Sequence, residues 1–92
     1  MVKEHSISIA FGKAVRQERL KKGVTQEELA HRCGLDRTYI SRIERGQKNP
    51  TLSVVWHIAT VGLGVDFLSL MALIVQHLPA TISKQIGTPG QE

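Results

Sequence analysis

Arg37, Thr38, Ser41, Arg42 and Arg45 fall at i, i+1, i+4, i+5 and i+8. On a helix these positions form one continuous outward stripe. It carries three guanidiniums and two hydroxyls and no carboxylate. A helix face that is only solvated usually mixes Glu with Lys, because i,i+4 pairs of opposite sign support it. Arg, Thr and Ser together suit a nucleic acid instead. Arg can bind guanine O6 and N7 at once, and hydroxyls bond to base edges or to phosphates. The remaining chemistry is sparse. No Gly-rich phosphate loop, H-E-x-x-H or C-x-x-C pattern occurs, and no nucleophile–base or acid/base set is recognisable, so neither an enzyme nor a cofactor is expected. His31 and Cys33 stand two apart on a helix and point apart, which makes a poor metal pair.

The stripe needs a helix held at a fixed angle to a scaffold, and the flanking sequence supplies one. Thr25-Gln26-Glu27-Glu28 reads as a capping box, with Val24 and Leu29 placed as a hydrophobic staple. The helix so begun ends at Cys33, and Gly34 can turn the chain. Asp36 caps the next helix, Arg37 to Arg45. Leu29, Ala30, Cys33, Leu35, Ile40 and Ile43 then fill the angle between two helices joined by a very short turn. This spacing is that of a helix-turn-helix. Glu44 falls beside Ile40 and Ile43 on the inward stripe. A preceding helix is expected over Ser8–Lys22, with Ile7, Phe11, Ala14, Val15 and Glu18 inward and Arg19 at the edge. A fourth helix, capped by Thr51 or Ser53, should reach Val61, and a fifth, capped by Asp66, should reach His77 before Pro79 blocks it. One more turn is possible over Thr81–Ile86.

The fold class is therefore all-α, five helices with a DNA-binding helix-turn-helix at helices 2–3. Residues 1–78 are expected to form one DNA-binding and dimerisation domain, with 79–92 a partly disordered tail. In 92 residues no sensor domain is expected beside the DNA-binding one. Charge is unevenly spread. Residues 1–50 carry eleven basic and six acidic side chains; residues 51–92 carry one basic and two acidic. A basic half points to an anionic partner and an apolar half to self-association. One cysteine cannot form an intrachain disulfide, and no signal peptide is recognisable, so a cytoplasmic location is expected. The longest apolar stretch, Phe67–Val75, is interrupted by Ser69 and falls far short of the ~18 residues that span a bilayer.

From Phe11 to about Leu70 the chain resembles the phage-repressor-like helix-turn-helix family, through T-Q-E-E-L-A, then G-L, then I-S-x-I-E-x-G. The string GLDRTYISRIERGQKNPTL is most similar to controller proteins of restriction–modification systems. The resemblance implies that Arg37 and Thr38 reach base edges, with Ser41 and Arg42 touching backbone or adjoining bases. It implies phosphate contacts from Gln26, Tyr39, Arg45, Lys48 and Asn49, with Gln26 also buttressing the recognition helix. It further implies a buried ion pair between Arg19 and Glu44. The segment Val61–Val65 is one residue longer than the family's usual connection.

Trp56 shares a stripe with Leu52, Val55, Ala59 and Leu63, which reads as core or interface packing. The fifth helix is apolar nearly all round, more than one small domain can cover, so Phe67, Leu70, Leu73 and Ile74 are expected at a twofold dimer interface. The expected function is a homodimeric transcription regulator on a palindromic duplex operator, with no membrane and no small-molecule ligand. The alternative is an antitoxin-type module whose tail from Leu78 onward binds a protein partner.

Overall fold

The structure, a computed structural model, describes residues 4–79. The turn expected over Thr81–Ile86 and the disorder expected of the tail lie outside these residues. The elements are α1 (Glu4–Lys21), α2 (Gln26–Cys33), α3 (Arg37–Glu44), α4 (Leu52–His57) and α5 (Phe67–Gln76), with a π-helical turn, Ile58–Gly62, continuing α4. There is no strand among the described residues.

Each helix from α2 onward starts where a short polar side chain can take up a free backbone N–H. The Thr25 hydroxyl accepts from Glu28 N at 3.0 Å, and the Thr25 N–H donates back to Glu28 Oε1 at 2.9 Å. That backbone bond, more than any nearby charge, holds the Glu28 carboxyl below its usual value. Asp36, Thr51 and Asp66 cap α3, α4 and α5 in the same manner. Gly34 closes α2 in a left-handed conformation at φ 67°.

Leu29, Ile40, Ile43, Ile58, Leu63, Leu70 and Val15 are the largest fully buried side chains. They come from α1, α2, α3, α5 and the stretch after α4, and the half-buried Val54 and Val55 of α4 pack against the same core. Each fully buried side chain stabilises the fold by about 1.5–3 kcal/mol. α1 begins one turn before its expected start. Its Gly12 lies against the C-terminal end of α3: a Cβ there would be driven into the Ile43 carbonyl oxygen and would lie 2.9 Å from that of Glu44. The two helices therefore meet backbone to backbone.

The fourth helix, expected to reach Val61, does continue through Gly62, but its last turn, Ile58–Gly62, is π-helical rather than α-helical. Leu63 N donates to Ile58 O at 2.8 Å, an i→i+5 bond that takes one more residue per turn than an α turn. Gly62 presses on Cys33 Sγ and Leu29 Cδ1, where no Cβ fits, and its carbonyl accepts from Arg32 Nη1 at 3.1 Å. Cys33 is the expected small core residue, and burial pushes its thiol up from the usual value.

α5 crosses α1 and corrects two expectations. Leu70 and Ile74 are 1% and 8% exposed within a single protomer. They belong to its own core and have almost no surface left for a partner. The outward apolar residues are Leu68, 75% exposed, and Val75, with Phe67, Met71 and Leu73 half-buried. Phe67 lies 5.2 Å, centroid to centroid, from the half-exposed Trp56. His77 Nε2 and Gln17 Oε1, 2.8 Å apart, tie the end of α5 to α1. No single helix among the described residues is long and apolar enough to cross a membrane.

Replacing Gly12 by Ala should destabilise the protein by about 1–3 kcal/mol or more, because neither α1 nor α3 can retreat without opening the core. A thermal melt followed by circular dichroism checks this. A wild-type melting temperature would mean that α1 and α3 do not approach at backbone distance.

Candidate nucleic-acid interface

α3 is eight residues long and divides cleanly. Ile40 and Ile43 are fully buried against α1 and α2. Arg37, Thr38, Arg42 and Arg45 are exposed and Ser41 is half-buried, so the stripe expected from spacing forms one face. Asp36 Oδ1 accepts from Thr38 N at 2.7 Å and fixes the first turn, from which Arg37 and Thr38 project.

Beneath this face lies a charged network. Arg19 Nε donates to Glu44 Oε2 at 2.7 Å and Nη2 donates to Glu44 Oε1 at 3.0 Å. The third guanidinium arm, Nη1, donates to Val24 O at 2.9 Å. The two side chains are only 8% and 3% exposed. The bond to Glu44, helped by its charge, raises the Arg19 guanidinium above its ordinary value although burial opposes it. This is the ion pair that the resemblance implied, and it joins α1, α3 and the turn before α2.

Gln26 extends the network outward. Its Nε2 donates to Glu44 Oε1 at 3.0 Å, and its Oε1 accepts from Arg37 Nη1 at 3.5 Å, the outer limit of a hydrogen bond. Gln26 thus braces α3 from the first turn of α2. Tyr39 is half-buried against the core, with Lys48 Nζ 6.0 Å over its ring, at the edge of cation–π range. Asn49 is exposed, but it borders an apolar groove of about 190 Å³ that Phe11, Val55, Met71 and Ile74 also line. It therefore stands apart from the Arg19–Glu44 network.

One residue that the sequence reading passed over belongs here. Arg16, one turn before Arg19 on α1, brings Nη1 to 3.9 Å from Glu44 Oε1 and stays 60% exposed. It lines an open hollow with Arg19, Thr25, Gln26, Glu27 and Arg37. Its i−3 spacing from Arg19 was the available signal. Among the described residues no group of His, Cys, Asp or Glu is placed to hold a metal ion.

Comparison with known proteins agrees with this geometry. A family profile described as Helix-turn-helix matches residues 15–66, more than half of the chain, and the chain belongs to that family of DNA-binding regulators. It is 48% identical over 63 residues to the control protein C.BamHI of Bacillus amyloliquefaciens, covering 67% of this chain and 76% of that protein. It is 36% identical over 69 residues to the control protein C.MunI of a Mycoplasma species, covering 74% and 92%. The structure of the restriction–modification controller protein C.Esp1396I, a tetramer in complex with its natural 35 base-pair operator, is similar with a TM-score of 0.71. Sequence identity is 35%, and the match covers 77% of this chain and 92% of that one.

Removing one member of the Arg19–Glu44 pair should cost about 3–5 kcal/mol, because the other is left charged and buried. Replacing both with apolar residues of similar volume should cost less than either single change. Thermal melts of Arg19→Met, Glu44→Leu and the double variant decide it. A Glu44→Leu protein that melts like wild type would contradict the geometry.

Proposed function

We propose that this protein is a transcription regulator that binds a dyad-symmetric operator as a homodimer, in the manner of restriction–modification controllers. The observation that carries this reading is the carboxylate-free face of α3, exposed at Arg37, Thr38, Arg42 and Arg45 and mounted on a buried ion pair. A merely solvated helix needs no such mounting. The similarity to control proteins favours this reading over an antitoxin-type module. It goes with a non-enzymatic role and a cytoplasmic location.

Within it, Arg37 and Thr38 read base edges, with Ser41 and Arg42 beside them. Gln26, Tyr39, Arg45, Lys48 and Asn49 bind phosphates. The dimer forms through the outer face of α5, Leu68 and Val75, flanked by Phe67 and Leu73. Leu70 and Ile74 support this face from inside the protomer. A twofold axis there leaves both α3 helices free to enter successive major grooves, about 34–36 Å apart.

Fluorescence anisotropy at several salt concentrations tests the binding mode. With three to five phosphate contacts per protomer, log affinity should fall against log salt with a slope of roughly −5 to −9. Arg37→Ala should cost about 1–3 kcal/mol on the operator and relax preference at one base pair. Lys48→Ala should weaken all sequences alike. A flat salt response in the wild-type protein would remove duplex DNA as the ligand. For the interface, Leu68→Glu with Val75→Glu should give a folded monomer by ultracentrifugation and circular dichroism. A folded dimer would place the axis elsewhere.

A further inference from the structure

Arg16 and Arg19 sit one turn apart on α1 and approach the same carboxylate, yet their circumstances differ. Arg19 is buried and takes both oxygens of Glu44 at 2.7 and 3.0 Å. Gln26 Nε2 adds a third bond to that carboxylate. The charge of Glu44 is thereby answered without Arg16. At 3.9 Å and 60% exposed, Arg16 forms only a loose surface contact, of a kind that contributes little stability. The fold therefore does not explain why a cation is held there.

The hollow that it lines offers the explanation. About 470 Å³ in volume and open to solvent, it has Arg16 on the α1 side, Arg37 on the α3 side and Gln26 between them. Its lining sets three guanidiniums, Arg16, Arg19 and Arg37, against one exposed carboxylate, Glu27 on the rim, while the buried Glu44 beside it is already held by Arg19. The local balance is positive, and the charge of Arg16 is met only by its loose 3.9 Å contact with Glu44. Arg16 rises from α1 rather than from the base-reading face of α3. In this docking geometry, helices outside the groove meet the sugar–phosphate backbone.

We infer that Arg16 is a phosphate ligand of the bound duplex, seating one phosphodiester in the hollow between α1 and Arg37. The inference rests on the DNA-binding reading above and adds to it a residue from outside the helix-turn-helix. Arg19 and Arg16 then divide one carboxylate's surroundings into a structural and a functional half. Glu27, on the same rim, opposes the phosphate and weakens binding.

The test uses the full chain with operator and scrambled duplexes, comparing Arg16→Ala, Arg16→Lys and Glu27→Gln by salt-dependent anisotropy and by thermal melting. Arg16→Ala should melt as wild type does, while its salt slope becomes shallower by about 0.9 per bound protomer on both duplexes. Arg16→Lys should keep the wild-type slope, since lysine supplies the same single charge. Glu27→Gln should bind both duplexes more tightly than wild type. An Arg16→Ala protein that keeps a steep wild-type slope would overturn the role of Arg16 and leave the DNA-binding reading intact. A loss of affinity accompanied by a lowered melting temperature would overturn it too, by making Arg16 structural. A flat slope already in the wild-type protein would overturn the DNA-binding reading and this inference with it.

Discussion

The two-point bond between Arg19 and Glu44 is the interaction on which the rest of the molecule depends. Taking two charges out of water costs several kcal/mol per ion, and their attraction offsets this only when geometry is good and the remaining polar atoms are also satisfied. Both conditions hold. The third guanidinium arm reaches the Val24 carbonyl, and Gln26 reaches the second carboxylate oxygen. Among the described residues, no buried side-chain nitrogen or oxygen lacks a partner. The pair therefore contributes orientation. It sets α3 at one angle to α1, and it does so at the end of α3 far from its Asp36 cap.

A short recognition helix cannot hold that angle alone. Isolated helices shorter than about 12–15 residues are marginal in water, and α3 has eight residues. Its persistence rests on burial of Ile40 and Ile43, on the Asp36 cap and on the close approach of Gly12 to its C-terminal carbonyls. With the inner face fixed in this way, the outer face is free to carry residues that contribute nothing to folding. The uneven charge of the chain follows from the same division. The basic half builds and surrounds this face, while the apolar half supplies α4 and α5, whose surplus apolar surface lies in Leu52, Trp56, Leu68 and Val75.

What the sequence made legible was local chemistry. Thr25, Asp36, Thr51 and Asp66 announce helix starts because a cap is a bond over two or three residues, and each makes that bond. The division of α3 was legible because its apolar and polar residues differ sharply. α5 offers no such contrast: a helix apolar on nearly every side gives periodicity nothing to phase, and Leu70 and Ile74, expected at the dimer interface, lie in the protomer's own core. The π turn was hidden because Ile58–Gly62 shows only a helix reaching a glycine, and the reason for that glycine is Cys33, distant in sequence. Arg16 was passed over because its significance comes from Glu44 and Gln26, brought to it by folding.

In the proposed mode of action, two protomers read one dyad-symmetric duplex through α3. Selecting binding sites from a randomised duplex pool, then footprinting the selected sequence with hydroxyl radicals, tests this most directly. The expected product is an inverted repeat with half-site centres about 10–10.5 base pairs apart, protected on one face of the duplex. Replacing Arg37 should degrade the consensus at one symmetric pair of positions. Recovery of a single asymmetric site, or of no consensus at all under conditions where the protein is folded and dimeric, would contradict it.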